Sequence, residues 1–404
     1  MTLKASIKLD HTHIIGEVHD YLYGANLEHV GQSVYGGIWA EMLRDRKFAG
    51  HDWMYTGASE GLHNINPNVG IVVPWEAVNP DYGRVRFVHD NTTFYTGSQS
   101  QRITISEAGG KPHGIQQKGL YLQADTSYDI RLVLKGDGQA VAISLGDAKW
   151  HIDAVADDWT TYETRLTPHK DNTNGALTIT IEHAGNLWIG CASVMPSDNL
   201  HGFRADVIAA LRDWRPTFLR YPGGNFVSAY DWRSGVGDRD RRPCYLDTAW
   251  HQWETNDMGT DEFIELCELV RSDAVLTVKM GTGTPQEAAA WVEYCNGSAE
   301  TKYGAMRAAN GSPEPYNLKL WFVGNEQFGN WQHGHMDAET YARRYLEFVR
   351  AMRAVDDELE LIAVGVPTDL YGHWNELVLE HAERDIDHLS VHYYSIRTEK
   401  WETP

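Results

Sequence analysis

Trp321-Phe-Val-Gly-Asn325-Glu326-Gln-Phe328-Gly-Asn-Trp331-Gln332 is the segment whose residue types point most directly to chemistry. Its apolar run reads as a strand that delivers Asn325 and Glu326 to its C-terminal end. General-acid cleavage of a glycosidic bond needs a rigidly held carboxyl beside the leaving oxygen, with its pKa raised towards neutrality. A strand end supplies the rigidity, and Phe328 and Trp331 can supply the desolvation. Asn325 can donate to a sugar hydroxyl near the reacting centre, a bond that strengthens in the transition state. The competing reading is a surface-loop glutamate. Tyr221-Pro-Gly-Gly-Asn225-Phe226 follows another strand. Its two glycines permit a tight turn with positive φ that exposes Asn225; the competing reading is a plain strand-to-helix loop. Glu28, followed by His29, ends an apolar run near the N-terminus and can bind hydroxyls or stand as a solvated charge.

Other motifs fall away on inspection. Gly281-Thr-Gly283-Thr-Pro-Gln286 has Gln where a dinucleotide fingerprint needs its third glycine, and Gly109-Gly-Lys111 is followed by Pro112 rather than the Ser or Thr of a P-loop. His11-Thr-His13 and His333-Gly-His335 read as solvated polar side chains rather than metal ligands. There is no Gly-x-Ser-x-Gly elbow and no His-Glu-x-x-His helix. No metal and no organic cofactor is expected. Cys191, Cys244, Cys267 and Cys295 form no Cys-x-x-Cys pair, which argues against structural zinc and fits reduced thiols.

The chain has 404 residues and a net charge of −21. Such an acidic surface repels phosphates, which excludes nucleic acid and anionic lipid as expected partners. No stretch approaches the roughly 20 apolar residues of a membrane span. MTLKASIKLDHTHIIGEVHD has no apolar signal region, so a cytoplasmic location is expected. Trp and Tyr number 15 and 20 against 10 Phe. That bias towards flat rings with a polar edge suits sugar binding, and is equally compatible with ordinary core and surface aromatics.

Positioning these residues requires two textures of chain. From about 70 to 198, short alternating runs such as YDIRLVLKG and ALTITIEHAG are separated by Gly, Asp and Asn turns, the pattern of an antiparallel sandwich. From about 201, apolar strands alternate with helices, which argues a parallel sheet. Thr260 and Asp337 are expected to cap helices, the second with Tyr341, Tyr345, Phe348 and Met352 on one face. Six strands are expected, near 21–28, 217–221, 274–280, 319–325, 359–365 and 387–394. Functional-looking residues end several of them: Glu28, Arg220, Asn325–Glu326 and His392–Tyr394. Such a distribution favours a (β/α)8-type barrel over a single switch point. The expected organisation is an incomplete barrel of about six strands from 1–50 and 199–404, with 51–198 as an inserted carbohydrate-binding-like β-sandwich. An open six-stranded sheet exposes an edge, which a second polypeptide completing the barrel would cover.

Taken together, the blocks Arg220-Tyr-Pro-Gly-Gly-Asn-Phe226, Leu246-Asp-Thr-Ala-Trp250, Glu254-Thr-Asn, Arg307-Ala-Ala-Asn-Gly, Gly324-Asn-Glu326 and Trp331-Gln332 resemble the α-L-arabinofuranosidases of glycoside hydrolase family 51. Tyr23-Gly through Glu28-His29 and Tyr35-Gly-Gly-Ile38 resemble its first strand and loop. The resemblance implies a retaining enzyme with Glu326 as general acid/base and Asn325 as its hydroxyl-binding neighbour. It implies that Glu28 and Asn225 hold the arabinofuranose, and that Tyr394, in His392-Tyr393-Tyr394, hydrogen-bonds the nucleophile. It also implies homo-oligomers. The family's nucleophile is a Glu on the seventh strand, and no residue here is assigned that place: Glu399 and Glu402 end no strand, Asp385 and Asp387 begin one, and Glu28 and Asp369 lie at the right end, but the resemblance gives Glu28 a binding role. The resulting expectation is an exo-acting α-L-arabinofuranosidase, or part of one, acting on arabinoxylan or arabinan oligosaccharides. The alternatives are an endo-acting glucanase or xylanase on the same barrel, and a carbohydrate-binding protein or fragment without catalysis.

Overall fold

The computed structural model describes residues 16–50, 70–367 and 371–394, together with 53–55, 63–65 and a few positions before 16. In chain order, β1 (Ala25–Asn26) is followed by a hairpin, β2 (Trp53–Tyr55) and β3 (His63–Ile65). Ten strands then form two sheets: β4 (Glu76–Val78), β5 (Val85–Asp90), β6 (Ser100–Ile105), β7 (His113–Leu122), β8 (Tyr128–Gly136), β9 (Val141–Leu145), β10 (Ala148–Ile152), β11 (Thr160–Leu166), β12 (Asn172–Ile181) and β13 (Gly185–Pro196). The remainder alternates: α1 (Ala205–Trp214), β14 (Phe218–Tyr221), the pair β15 (Tyr245–Leu246) and β16 (Trp253–Glu254), α2 (Thr260–Val270), β17 (Asp273–Val278), α3 (Pro285–Asn296), α4 (Lys302–Ala309), β18 (Leu320–Val323), α5 (Ala338–Arg353), β19 (Glu360–Gly365), α6 (Trp374–Ala382) and β20 (His388–Val391).

β1, β14, β17, β18, β19 and β20 form one parallel sheet in sequence order. Six in-order parallel strands with intervening helices are the expected part of a barrel, with the sandwich inserted between β1 and β14. The reason lies in the strands' composition. Leu276 and Val278, Trp321 and Val323, and Leu361 and Ala363 pack outward with α2, α3, α5 and α6. Val275, Leu320 and Ile362, with Phe218 and Phe322, form a separate cluster. Strands apolar on both faces belong in a layered α/β sheet.

α5 has the expected cap, Asp337 accepting from the Thr340 N–H, and its expected buried face. At α2 the cap is one residue earlier. Gly259 is the N-cap, its N–H held by Glu262, while Thr260 is buried inside the first turn and accepts from the Trp291 indole. The α4 helix, capped by Thr301, is absent from the sequence reading because its Gly and small residues give a weak apolar period. The strand read at KASIKLD falls on 4–10, mostly outside the described residues, as do Asp369, Glu399 and Glu402.

The sandwich sheets run β10-β9-β12-β7-β4 and β11-β8-β13-β6-β5. β8 shows the alternation that builds them: Tyr128, Ile130, Leu132 and Leu134 point into the shared core. Leu43 and Phe48, which precede the insertion in sequence, also enter that core. Between them Arg46 turns the other way. Its buried guanidinium bonds Asp257 at 2.6 and 2.5 Å and Asp240 at 2.7 Å, both on loops of the parallel-sheet portion. Arg131 of β8 grips the other Asp240 oxygen at 2.7 Å, and Lys47 reaches Asp257 at 3.1 Å. Burial alone would push both aspartates up; these cations hold them well below the ordinary carboxylate range. Removing one partner of such a cluster strands its charge. Arg46→Met is therefore expected to lose about 3–5 kcal/mol of stability in urea unfolding of the full chain. A loss under about 1 kcal/mol, typical of exposed pairs, would mean that the seam is not held by this cluster.

Candidate active site

The C-terminal ends of β1, β14, β18 and β20 converge on one mouth. Glu28 follows β1, whose pairing with β14 is continued by Leu27 N–H donating to the Arg220 carbonyl at 2.8 Å. The loop after β14 presses against this glutamate. A Cβ on Gly223, which has φ +88°, would stand 2.5 Å from the Glu28 Cβ, and one on Gly224 would stand 2.7 Å from its Oε2. The two glycines thus serve close approach as well as turning. The approach lets the Phe226 N–H donate to Glu28 Oε1 at 3.1 Å, and the Trp250 indole N–H donates to the same oxygen at 2.9 Å. Below, His29 stacks on Phe226 with ring centroids 4.4 Å apart and pairs with buried Glu254.

Arg220, on β14, ties the strand ends together. Its buried guanidinium donates to Asn26 at 3.2 Å, Thr277 at 3.0 Å and Asn325 at 2.8 Å, and lies over Phe322. Desolvation draws its pKa down to about 10, against the opposing pull of Glu28, Glu326 and Tyr394. With its oxygen taken by Arg220, Asn325 turns its amide towards Asn225 and Gln332, at 3.4 and 3.2 Å.

Glu326 sits in the left-handed region at φ +51°, directly after Gly324 (φ +94°) and Asn325. A non-glycine residue there is strained, and the surroundings hold it. The Trp331 indole N–H donates to Oε2 at 2.7 Å and the His392 Nδ1–H to Oε1 at 2.8 Å. Burial pushes the Glu326 carboxyl up, but the His392 and Trp331 bonds outweigh it, and the net shift is downward from the ordinary value of 4.5. The sequence reading expected an upward shift; the indole and imidazole donors, both favouring the ionised form, are the reason for the difference.

The structure brings all five sequence-derived site residues to this mouth: Glu28, Asn225, Asn325, Glu326 and Tyr394. Tyr394 is exposed beyond β20, and the charges of Glu326 and Glu28, with partial burial, raise its hydroxyl pKa. Phe328 is not part of the Glu326 environment in the way expected. It packs on Tyr371 at 4.5 Å and on Trp374, leaving half-exposed Trp331 to contact the carboxylate. Sequence reasoning did not single out Trp250 or His392 as donors to the two glutamates. Their signal was present only as proximity to other blocks, Trp250 at the end of Leu246–Trp250 and His392 two residues before Tyr394. Asp387 lies at the opposite end of β20, where it accepts from the Leu361 N–H at 2.7 Å and pairs with Arg353.

Residues 210–402 match the family profile described as the α-L-arabinofuranosidase 1 domain. α-L-Arabinofuranosidase C of Emericella nidulans is 45% identical over 170 residues, 42% of this chain and 34% of that protein. An intracellular exo-α-(1→5)-L-arabinofuranosidase of Bifidobacterium longum is 39% identical over 221 residues, 53% of this chain and 39% of that protein. The thermostable family 51 α-L-arabinofuranosidase structure from Thermotoga petrophila is 46% identical, covering 48% of this chain and 40% of that one with a TM-score of 0.46. The matches thus span 34–40% of the length of these relatives. Over residues 210–402, a little under half of the chain, the sequence thus matches an α-L-arabinofuranosidase domain.

Proposed function

We propose that the chain is the acid/base-bearing part of a retaining, exo-acting α-L-arabinofuranosidase that releases terminal arabinofuranose from arabinoxylan or arabinan oligosaccharides. The observation that carries this reading is the Glu326 carboxylate, held by Trp331 and His392 at a mouth that also gathers Glu28, Asn225 and Asn325. Amide and indole groups beside the Glu326 carboxylate, with Glu28 facing the same mouth, suit a sugar ring and its leaving oxygen. The name of the Bifidobacterium relative, an intracellular exo-α-(1→5)-L-arabinofuranosidase, supports exo-acting release of arabinofuranose and a cytoplasmic location.

In this reading, protonated Glu326 gives its proton to the glycosidic oxygen as the bond to the anomeric carbon breaks. A second carboxylate, outside the described residues, attacks that carbon and forms a glycosyl-enzyme. Glu326, now ionised, takes a proton from water as the water displaces that carboxylate, and free arabinose leaves. Glu28 and Asn225 hold the sugar hydroxyls, Asn325 the hydroxyl next to the reacting centre, and Tyr394 the attacking carboxylate. No cofactor takes part. A second carboxylate close by would reverse the downward shift that His392 and Trp331 give Glu326. Carboxylates roughly 5–5.5 Å apart in a retaining site repel each other's charge, and the proton then stays on Glu326. That carboxylate would come from further strands of the same enzyme, supplied by the chain's own continuation, by a second polypeptide or within a homo-oligomer.

Two outcomes follow. Glu326→Gln should slow arabinose release from arabinoxylan oligosaccharides by about 10²–10⁴-fold, and from an activated aryl α-L-arabinofuranoside far less, in the longest form of the protein that turns over. Equal losses on both substrates would remove Glu326 from the acid/base role. Turnover by residues 1–404 alone would instead place the attacking carboxylate among residues not described here.

The pH dependence has a defined sign. A carboxyl whose pKa is lowered by folding stabilises the native state above its unfolded pKa, and that contribution is lost as pH falls through the folded value. Between about pH 6 and pH 3, the melting temperature of residues 1–404 should therefore fall more steeply than that of its Glu326→Gln variant. Parallel curves would show that the His392 and Trp331 bonds do not favour the ionised form.

A further inference from the structure

The strand-end mouth uses Trp250 and Trp331, and much of the remaining aromatic surface belongs to the sandwich. One part of the outer face of sheet β11-β8-β13-β6-β5 is covered: Arg131 and Cys191 meet Asp240 and Arg46, and Ser193 meets Glu41. Farther along β13, Trp188 lies across from Arg102 of β6 and Lys135 of β8. Two residues on, Gly190 makes room for two more rings. A Cβ there would stand 2.5 Å from the Tyr95 Cβ and 2.8 Å from the Trp159 ring. Those rings lie 5.7 Å apart at 58°.

Two of the three rings, Trp188 and Tyr95, are fastened at an edge or a face. The Trp188 indole N–H donates to Asp90 at 2.8 Å, and Asp90 pairs with Arg102 at 3.0 Å. The Arg241 guanidinium lies 3.6 Å from the Tyr95 ring centre and donates to the Tyr95 carbonyl at 2.8 Å. Trp188, Trp159 and Tyr95 are nevertheless only partly buried. Among the described residues of the sandwich, the large apolar side chains that are exposed, Tyr82, Phe94 and Tyr121, are all aromatic. The core of a protein–protein interface is depleted of charged residues, whereas Trp188 stands among Asp90, Arg102 and Lys135. Rings with polar companions instead match the CH faces and hydroxyls of a sugar chain, and rings already fastened lose little freedom when it binds.

We propose that Trp188, Trp159 and Tyr95 form a polysaccharide-binding platform on the sandwich, separate from the strand-end mouth and taking the main chain of a neutral, arabinose-bearing polysaccharide. Only the choice of sugar rests on the function proposed above. A platform of this kind keeps the enzyme on its polymer between cleavage events by raising the local concentration of side branches.

The test is affinity electrophoresis of the full 404-residue chain in native gels containing soluble arabinoxylan or arabinan. Retardation is expected, with apparent affinity falling at least tenfold in Trp188→Ala and Trp159→Ala and unchanged in Glu326→Gln. Trp188→Phe, which keeps a ring face, should retain most of the affinity, and circular dichroism checks that each variant is folded. Absence of retardation of the unaltered chain on both polymers overturns the platform, as does retardation that Trp188→Ala and Trp159→Ala leave intact. Retardation that needs Trp188 in a protein that never releases arabinose would leave the platform standing while the arabinofuranosidase reading falls. Arabinose release without any retardation would be the reverse.

Discussion

A guanidinium buried at the mouth of a parallel sheet is costly unless every donor is used, and Arg220 uses its donors to tie strands. One side chain on β14 reaches Asn26 of β1, Thr277 of β17 and Asn325 beyond β18. The Phe322 ring closes the space above it. Because Arg220 claims the Asn325 oxygen, the amide of Asn325 has one orientation, and the next residue along the backbone is Glu326. The aim of the carboxylate thus depends on a cation that need not touch the reacting bond. The same charge draws Glu28 and Glu326 towards a common centre without forming a direct ion pair with either of them.

Much of this was legible in the sequence because it is written in periodicity. Five of the six parallel strands fall within the expected ranges and β17 starts one residue early, at Asp273, while the alternating runs from 70 to 198 become the sandwich. The residues that end strands were legible for the same reason: a polar residue closing an apolar run must emerge at the sheet's edge. Partners that reach the site from other elements were not. Trp250 lies 222 positions from Glu28, and His392 lies 66 from Glu326. No local pattern announces such a pair. The direction of the Glu326 shift was misjudged for a related reason, since desolvation can be guessed from nearby aromatics, whereas an indole turned edge-on to donate a hydrogen bond cannot.

The sandwich and the parallel sheet share more than a chain connection. Residues 40–48 contribute Leu43 and Phe48 to one core and Arg46 to a charge cluster against the other portion, so the insertion is fastened by the segment that leads into it. Glu41 adds to this fastening through Ser193 and the Val194 N–H. A divide drawn at residue 50 therefore separates sequence textures rather than packing units. The arrangement fixes where the aromatic outer face of the sandwich points relative to the strand-end mouth, a relation that a flexible linker would leave undefined.

The left-handed backbone at Glu326 bears on how this protein could be improved or spoiled. A strained residue of this kind costs on the order of 1–3 kcal/mol, and glycine or asparagine would occupy the same conformation more comfortably. Position 326 is thus a place where the interests of the fold and of the carboxylate diverge. A laboratory selection that rewarded survival of heating alone would find relief there, and each step it accepted would remove the group around which the mouth is arranged.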